Sequence, residues 1–154
     1  MLSMKAKYGL KAMLRLAKDY GRGPWLIADL AVEEAIPKKF LELILLDLKQ
    51  HGMLKSKKGK GGGYLLAQHP DEITVGTVLR ALDGTLAPVP CVGQLASRPC
   101  DECKGPASCS IRLLMSEVHS ATSSILDSTT LDDLTRRGDQ ERRDRSPPLQ
   151  RYHI

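Results

Sequence analysis

Aromatic side chains are scarce in this sequence, which has one Trp, one Phe and four Tyr among 154 residues. A hydrophobic core must therefore rest on Leu, Ile, Val, Ala and Met, a composition that suits small packed helices better than a β-sandwich. The apolar share of 42% is enough for one modest core. At this length we expect one domain with appendages rather than two full domains.

Long hydrophobic runs are also absent. The longest apolar stretch, residues 43–46, is far too short to cross a bilayer. Residues 1–14 include Lys5, Lys7 and Lys11 and have no apolar run of signal-peptide length. We therefore expect a cytoplasmic protein, in which cysteines more often bind metals or take part in redox chemistry than form structural disulfides.

Positive charge is concentrated in the first part of the chain. Residues 1–67 contain thirteen Lys or Arg and six Asp or Glu, whereas the remaining residues contain ten and twelve. Such a basic segment predicts an anionic partner, although a charged face can also serve solubility alone.

The apolar periodicity predicts helices and a hairpin in the first half of the chain. The expected helices span about 4–20, 27–34, 37–52 and 74–84, and the expected strands span 53–56 and 64–66. Three short helices followed by a hairpin is the order of a winged helix-turn-helix domain, in which the third helix enters the major groove of DNA. Residues 1–84 are therefore predicted to form a winged helix-turn-helix DNA-binding domain with a small β-hairpin wing.

The second half of the chain differs in composition. Four prolines exclude a regular helix from residues 85–109, which hold all four cysteines and are predicted to form a sensor loop. Residues 110–137 are predicted to form a long helix and a short terminal helix, the latter opened by a cap at residues 128–130. The Arg-, Asp- and Pro-rich residues 138–154 are predicted to be a disordered tail. The expected fold is thus mainly α.

Six charged side chains are the candidate DNA contacts. They are Lys38, Lys39 and Glu42 on the third helix and Lys57, Lys58 and Lys60 at the tip of the hairpin. Lysine can contact a phosphate or the acceptor edge of guanine, and a carboxylate near DNA is unfavourable unless it accepts a hydrogen bond from a base such as cytosine. Each position alone would also suit a solvated surface, so the prediction rests on their joint order along the chain.

The cysteines form a single group, Cys91, Cys100, Cys103 and Cys109. Four thiolates in an irregular loop can hold an iron–sulfur cluster or zinc. Structural zinc sites usually combine two short Cys-x2–4-Cys pairs, and only one such pair occurs here, which favours iron–sulfur. A redox-switched disulfide between Cys100 and Cys103, or a thiol redox enzyme that uses this pair, are the remaining alternatives.

Several phrases of the sequence resemble the IscR–NsrR–CymR family of bacterial winged-helix regulators, over most of residues 4–134. The phrases that carry the resemblance are Lys5-Ala6-Lys7-Tyr8-Gly9-Leu10, Phe40-Leu41-Glu42, Gly61-Gly62-Gly63-Tyr64-Leu65-Leu66, Ile73-Thr74-Val75-Gly76 and Thr129-Thr130-Leu131-Asp132-Asp133-Leu134.

The resemblance implies a transcriptional regulator, not an enzyme, that forms a homodimer through a long C-terminal dimerisation helix. Two recognition helices would bind a palindromic operator in double-stranded DNA. Glu42 matches a base-reading glutamate and Lys58 a basic wing position of the family. Cys91, Cys103 and Cys109 resemble the three ligands of a [2Fe-2S] or [4Fe-4S] cluster, which would sense iron, redox state or nitric oxide.

The chain departs from the family pattern at the fourth ligand. Some members have a ligating histidine three residues after the last cysteine, where this chain has Arg112, which cannot ligate. Cys100 is an additional cysteine that can take this place, and the alternative is a fourth ligand from the N-terminal region of the partner protomer. A dimeric regulator with a structural zinc or a thiol switch stays an alternative.

Overall fold

The computed structural model describes residues 2–93 and 98–145. In this part of the chain, six α-helices and one two-stranded antiparallel hairpin form a mainly α winged-helix fold. The elements are α1 (Met4–Lys18), α2 (Ile27–Glu34), α3 (Lys38–Gln50), β1 (Leu54–Lys57), β2 (Gly63–Leu66), α4 (Val75–Asp83), α5 (Ser110–Ser128) and α6 (Leu131–Arg145). The expected fold class is confirmed, and each predicted helix of the DNA-binding half is present within about two residues of its expected ends.

The core lies among α1, α2 and α3 and is built almost entirely from aliphatic side chains, as the shortage of aromatics requires. Its largest completely buried members include Met13, Leu30, Leu41, Ile44 and Leu48. Helices α1 and α4 approach each other closely at Gly9 of α1. A Cβ added there would lie 2.1 Å from Cδ1 of Leu82 in α4. This contact fixes α4 against the back of the helix-turn-helix unit.

Local signals set both ends of the turn between α2 and α3. Ala35 ends α2 in the left-handed conformation, with φ of 53°, and the backbone N–H of Ile36 returns to the carbonyl of Ala31. Pro37, expected within the first turn of the third helix, lies one position earlier as the N-cap of α3. Proline suits this place because it has no N–H that a helix would leave unpaired.

The hairpin is joined to the helical core through Trp25. Strands β1 and β2 pair Leu54 with Leu66 and Lys57 with Gly63. Tyr64 then exchanges two backbone hydrogen bonds of 2.8 Å with Trp25 on its other side. Strand β2 is therefore hydrogen-bonded on both of its edges, to β1 on one side and to Trp25 on the other. The second contact joins distant parts of the chain.

The last two helices return to the DNA-binding half. The N–H of Val75 donates to the carbonyl of Thr129, and that of Leu131 donates to Ile73. Arg80 on α4 also forms a bidentate ion pair with Asp127 near the end of α5, at 2.7 and 2.8 Å. These bonds attach the end of α5 to the start and middle of α4.

The terminal helix is longer than the sequence suggested. Its capping prediction is confirmed, since Thr130 and Asp133 exchange hydrogen bonds between side chain and backbone in both directions. The helix was expected to end near Gly138 but continues to Arg145. Side-chain pairs one turn apart, such as Arg145 with Glu141, stabilise this polar extension. The rest of the predicted tail, residues 146–154, lies outside the described residues.

Candidate nucleic-acid interface and cysteine segment

Helix α3 separates a fully apolar side from a charged side. Leu41, Ile44, Leu45 and Leu48 are completely buried on one side. Lys38, Lys39 and Glu42 are exposed on the other side. Because four leucine or isoleucine side chains already anchor the helix, its charged side is free to meet a ligand.

The hairpin carries the other three candidate contacts beside this helix. Lys57 ends β1, and Lys58 and Lys60 lie in the turn before β2; all three are exposed. Lys49 near the end of α3 donates a hydrogen bond of 2.6 Å to Ser56 in β1, so the helix and the wing are in direct contact.

The turn at the tip of the wing is tight. The N–H of Gly62 donates to the carbonyl of Gly59, and a Cβ on Gly62 would lie 2.2 Å from the carbonyl oxygen of Lys57. Only glycine fits this position, which explains part of the glycine-rich sequence.

The side chains of the six candidate DNA contacts form no hydrogen bond or ion pair with residues 2–93 or 98–145. Several other charged side chains of the same half do form ion pairs, including Lys5 with Asp47 and Arg15 with Glu33 and Glu34. The unpaired charges are thus concentrated on α3 and the wing, where they are available to phosphates.

Two neighbouring cysteines affect Cys100 in the loop between α4 and α5. The negative charge of the Cys91 thiolate raises the pKa of Cys100, and a hydrogen bond with Cys91 and the charge of Cys103 raise it further. Like charges disfavour the thiolate form, so these neighbours make Cys100 hold its proton more tightly. The backbone N–H of Cys103 also donates to the carbonyl of Cys100 at 2.9 Å, which closes a turn around this pair.

The fourth cysteine lies at the start of α5. Cys109 is its N-cap, and its sulfur accepts a hydrogen bond of 3.5 Å from the backbone N–H of Arg112. The guanidinium of Arg112 donates to the carbonyl of Cys91 at 3.2 Å. Arg112 occupies the position at which some members of the resembled family have a ligating histidine. Here its side chain connects Cys91 to α5, the helix that Cys109 caps.

The donor set fits a soft metal or an iron–sulfur cluster in its chemistry, since thiolates are the preferred ligands of both. In the described residues, however, no three His, Cys, Asp or Glu side chains are arranged as a preformed metal site. Metal ligation by the four cysteines therefore stays a prediction.

A cleft of about 830 Å³ lies between α4 and α5 beside the cysteine loop. Ser116, Ser120 and Ser123 line it from α5, while the Arg80–Asp127 pair lines one end. The ring of His119 packs near Gly93, and its buried Nδ1 has no hydrogen-bond partner in the described part of the chain. Sequence reasoning missed this cleft because its walls come from segments about forty residues apart.

The opposite side of α5 carries an apolar stripe. Its members are all exposed, and the helix buries no residue; they are Ile111, Leu114, Val118, Ala121 and Ile125. Contiguous exposed apolar surface of this kind marks an interaction site. As to membranes, no helix among the described residues has the length and apolarity to span one.

Comparison with known proteins agrees with this architecture. Residues 2–137 match the Rrf2 family, described as iron-dependent transcriptional regulators. An rrf2-like HTH-type transcriptional regulator of Rhodobacter capsulatus is 39% identical over 141 residues, which cover 90% of this chain and 94% of that protein.

Two solved structures are similar over nearly their whole length. The structure of CymR, the global cysteine regulator of B. subtilis, is 36% identical with a TM-score of 0.73 and covers 88% of this chain and 96% of its own. The IscR of T. potens is 28% identical, also with a TM-score of 0.73, and covers 96% and 93%. These similar proteins are transcriptional regulators, so the expectation of a regulator rather than an enzyme is confirmed.

Proposed function

This chain belongs to the Rrf2 family of transcriptional regulators, and we propose that it is a homodimer whose binding to a palindromic operator is controlled by an iron–sulfur cluster. The observation that carries the DNA-binding part is the set of six exposed charges on α3 and the wing that have no partner in the described residues. Because its proposed ligand is chromosomal DNA, the protein would act in the bacterial cytoplasm.

Each charge has a role in the proposed complex. Lys57, Lys58 and Lys60 neutralise phosphates from the wing, while Lys38 and Lys39 approach the duplex at the start of α3. Glu42 would be repelled by the phosphates, and it is tolerated there if it accepts a hydrogen bond from the amino group of cytosine. The lysines thus supply affinity, and Glu42 supplies sequence preference.

The DNA-binding part is tested with the full-length protein and sequences selected from a random duplex pool. A plot of log affinity against log salt concentration has a negative slope. Lys58→Ala should make this slope shallower by about 0.9 for each phosphate that Lys58 neutralises in the wild-type complex. Arg137→Ala, which removes one exposed charge from α6, is the matched control and should leave the slope unchanged. If both variants changed the slope equally, the effect would reflect net charge rather than a wing contact.

The apolar stripe of α5 supports the homodimer. A second copy of the same stripe, packed against the first, would remove five exposed apolar side chains from water. Two DNA-binding halves related by a twofold axis would then face two half-sites, which is why the operator is proposed to be palindromic. Sedimentation of the purified protein tests this directly.

The cysteine segment is proposed as the sensor. Cys91, Cys103 and Cys109 would hold the cluster, with Cys100 as the fourth ligand because a backbone hydrogen bond of 2.9 Å keeps it in one turn with Cys103. When bound, the cluster supplies redox chemistry and reactivity toward nitric oxide. Arg112 holds the Cys91 backbone to the first turn of α5, so a change in the loop is transmitted to the helix that joins the two protomers.

Anaerobic purification tests the sensor. A brown protein that absorbs at about 400 nm and carries iron and sulfide supports the cluster. The variants Cys91→Ala, Cys103→Ala and Cys109→Ala should each abolish the colour. A colourless protein with bound zinc would favour a structural metal, and a metal-free protein would favour a thiol switch. The family is described as iron-dependent, whereas the similar protein CymR is a cysteine regulator. The measurement therefore distinguishes an iron–sulfur sensor from a regulator without a cluster.

A further inference from the structure

Two leucines interrupt the charged side of α3. Leu43 is 60% exposed and Leu46 is 45% exposed, although the same helix completely buries four other aliphatic side chains. They are three residues apart, so they are neighbours on the helix surface. Their side chains are therefore available to a ligand and are not needed to fill the core.

The surroundings of these leucines are those of the proposed DNA contacts. Leu43 follows Glu42 directly and lies one turn after Lys39, and Leu46 lies one turn after Glu42. Lys39 and Glu42 have no partner in the described residues. The two leucines thus form a small apolar patch inside a surface of unpaired charge.

The chemistry of this patch favours DNA over another protein. Two leucines flanked by unpaired lysines make a poor protein interface, which needs a larger and less charged core. The exposed stripe of α5 has that larger extent. In the major groove, by contrast, phosphates attract the lysines, and the apolar group that a leucine can contact is the C5-methyl of thymine.

We propose that Leu43 and Leu46 recognise thymine methyl groups in the operator, next to the base pair that Glu42 contacts. This inference rests on the proposed DNA-binding function and adds a second source of base preference to it. Glu42 would select a base by hydrogen bonding, and the leucines would select its neighbours by shape and apolar contact. The operator should therefore contain thymine at one or two fixed positions in each half-site.

The test removes only the methyl group. Full-length protein selects a binding sequence from a random duplex pool, and each conserved thymine is then replaced in turn by deoxyuridine, which keeps the hydrogen-bonding edge. At the positions contacted by the leucines, each replacement should weaken binding about four-fold, as expected for one buried methyl. Replacement in both half-sites of the palindrome should weaken binding about fifteen-fold.

The leucine variants identify which side chain is responsible. On the thymine operator, each of the variants Leu43→Ala and Leu46→Ala should bind as weakly as wild type binds the operator with deoxyuridine at the matching position of both half-sites. For each variant, the ratio of its affinities for these two operators should fall to about one. Val32→Ala is the matched control, because Val32 is 83% exposed but lies on α2; it should keep the wild-type ratio. Both leucines are exposed, so the variants are expected to fold, which circular dichroism verifies.

Two different failures are distinguishable. If selection enriches no sequence, both the DNA-binding proposal and this inference are overturned. If a sequence is enriched but has no thymine sensitive to the methyl group, or if both leucine variants keep the wild-type ratio, DNA binding stands and the inference is overturned.

Discussion

Replacing Gly63 by alanine should detach the wing from the helical core. Gly63 has φ of +143°, and an ideal Cβ there would lie 2.0 Å from the carbonyl oxygen of Trp25 and 2.4 Å from its carbonyl carbon. These are backbone atoms, which cannot rotate away as a side chain could. The two backbone hydrogen bonds between Trp25 and Tyr64 must therefore lengthen or break.

The expected loss can be estimated from these contacts. Two backbone hydrogen bonds contribute about 1 kcal/mol each, and a non-glycine residue in this backbone region costs about 1–3 kcal/mol. The free energy of unfolding should fall by about 3–5 kcal/mol, against a total of about 5–15 kcal/mol for a domain of this kind. The variant should thus remain folded at low temperature but melt earlier.

Chemical denaturation followed by fluorescence measures this change. Trp25 is the single tryptophan of the chain, so its emission reports directly on the contact. DNA affinity should fall as well, and the salt slope should decrease by up to about 2.7 per protomer if three wing lysines leave the phosphates.

Gly61→Ala is the matched control for this prediction. Gly61 also has positive φ, at +74°, but nothing lies within 4 Å of its added Cβ. Backbone strain should therefore lower the free energy of unfolding of this variant by only about 1–2 kcal/mol, and its fluorescence should match that of the wild type. Equal stabilities and equal emission spectra for the two variants would show that Gly63 is not required for the contact between the wing and Trp25.

Three further predictions concern the helical scaffold. Gly9→Ala should destabilise the fold by about 0–2 kcal/mol, since overpacking against Leu82 costs about 1–3 kcal/mol while alanine gains about 1 kcal/mol of helix propensity; thermal unfolding measures this. Arg80 lowers the pKa of Asp127 through a hydrogen bond, so the pair stabilises the fold at neutral pH and this contribution is lost as the pH falls below about 4. Asp127→Asn should therefore lower stability near neutrality, by at most about 1 kcal/mol because both partners are partly solvated, and should differ less from wild type in acid. Leu114→Glu should yield monomers in sedimentation experiments, because it introduces a charge into the apolar stripe.

These predictions also have defined contradictions. Gly138→Ala, with nothing within 4 Å of its Cβ, should be neutral or stabilising by up to about 1 kcal/mol; if it destabilises as much as Gly9→Ala, overpacking is not the cause. A difference between Asp127→Asn and wild type that grows in acid would contradict the assigned ion pair. A Leu114→Glu variant that remains a dimer would exclude the α5 stripe as the interface.

Features that depend on neighbouring residues could be predicted from the sequence. Apolar spacing predicts the bounds of α2 as they are observed, and Thr74 and Gly84 do cap α4. The hairpin was also predicted, although its strands are shifted by one residue at several ends. Local hydrogen bonding and side-chain periodicity act over a few residues, which is why composition and spacing suffice for them.

Features of the candidate site that depend on distant contacts could not be predicted. Cys100 and Cys103 are the close pair in the sequence, yet the thiol that chiefly raises the pKa of Cys100 belongs to Cys91. The end of α6 was placed too early because its local ion pairs were not sufficient to predict a helix; Lys18 of α1 also pairs with Asp139 of this helix at 3.0 Å. Chain folding brings such partners together, and spacing along the chain does not indicate which ones will meet.

Spacing and composition along the chain were enough to predict the order of helices and strands, the charged side of α3 and the confinement of every cysteine to one loop. The folded arrangement was needed to show that Trp25 holds the wing and that Arg112 connects Cys91 to α5. The difference has a physical reason: secondary structure follows from interactions between near neighbours, whereas the exposure and pairing of a side chain depend on which remote segments pack beside it.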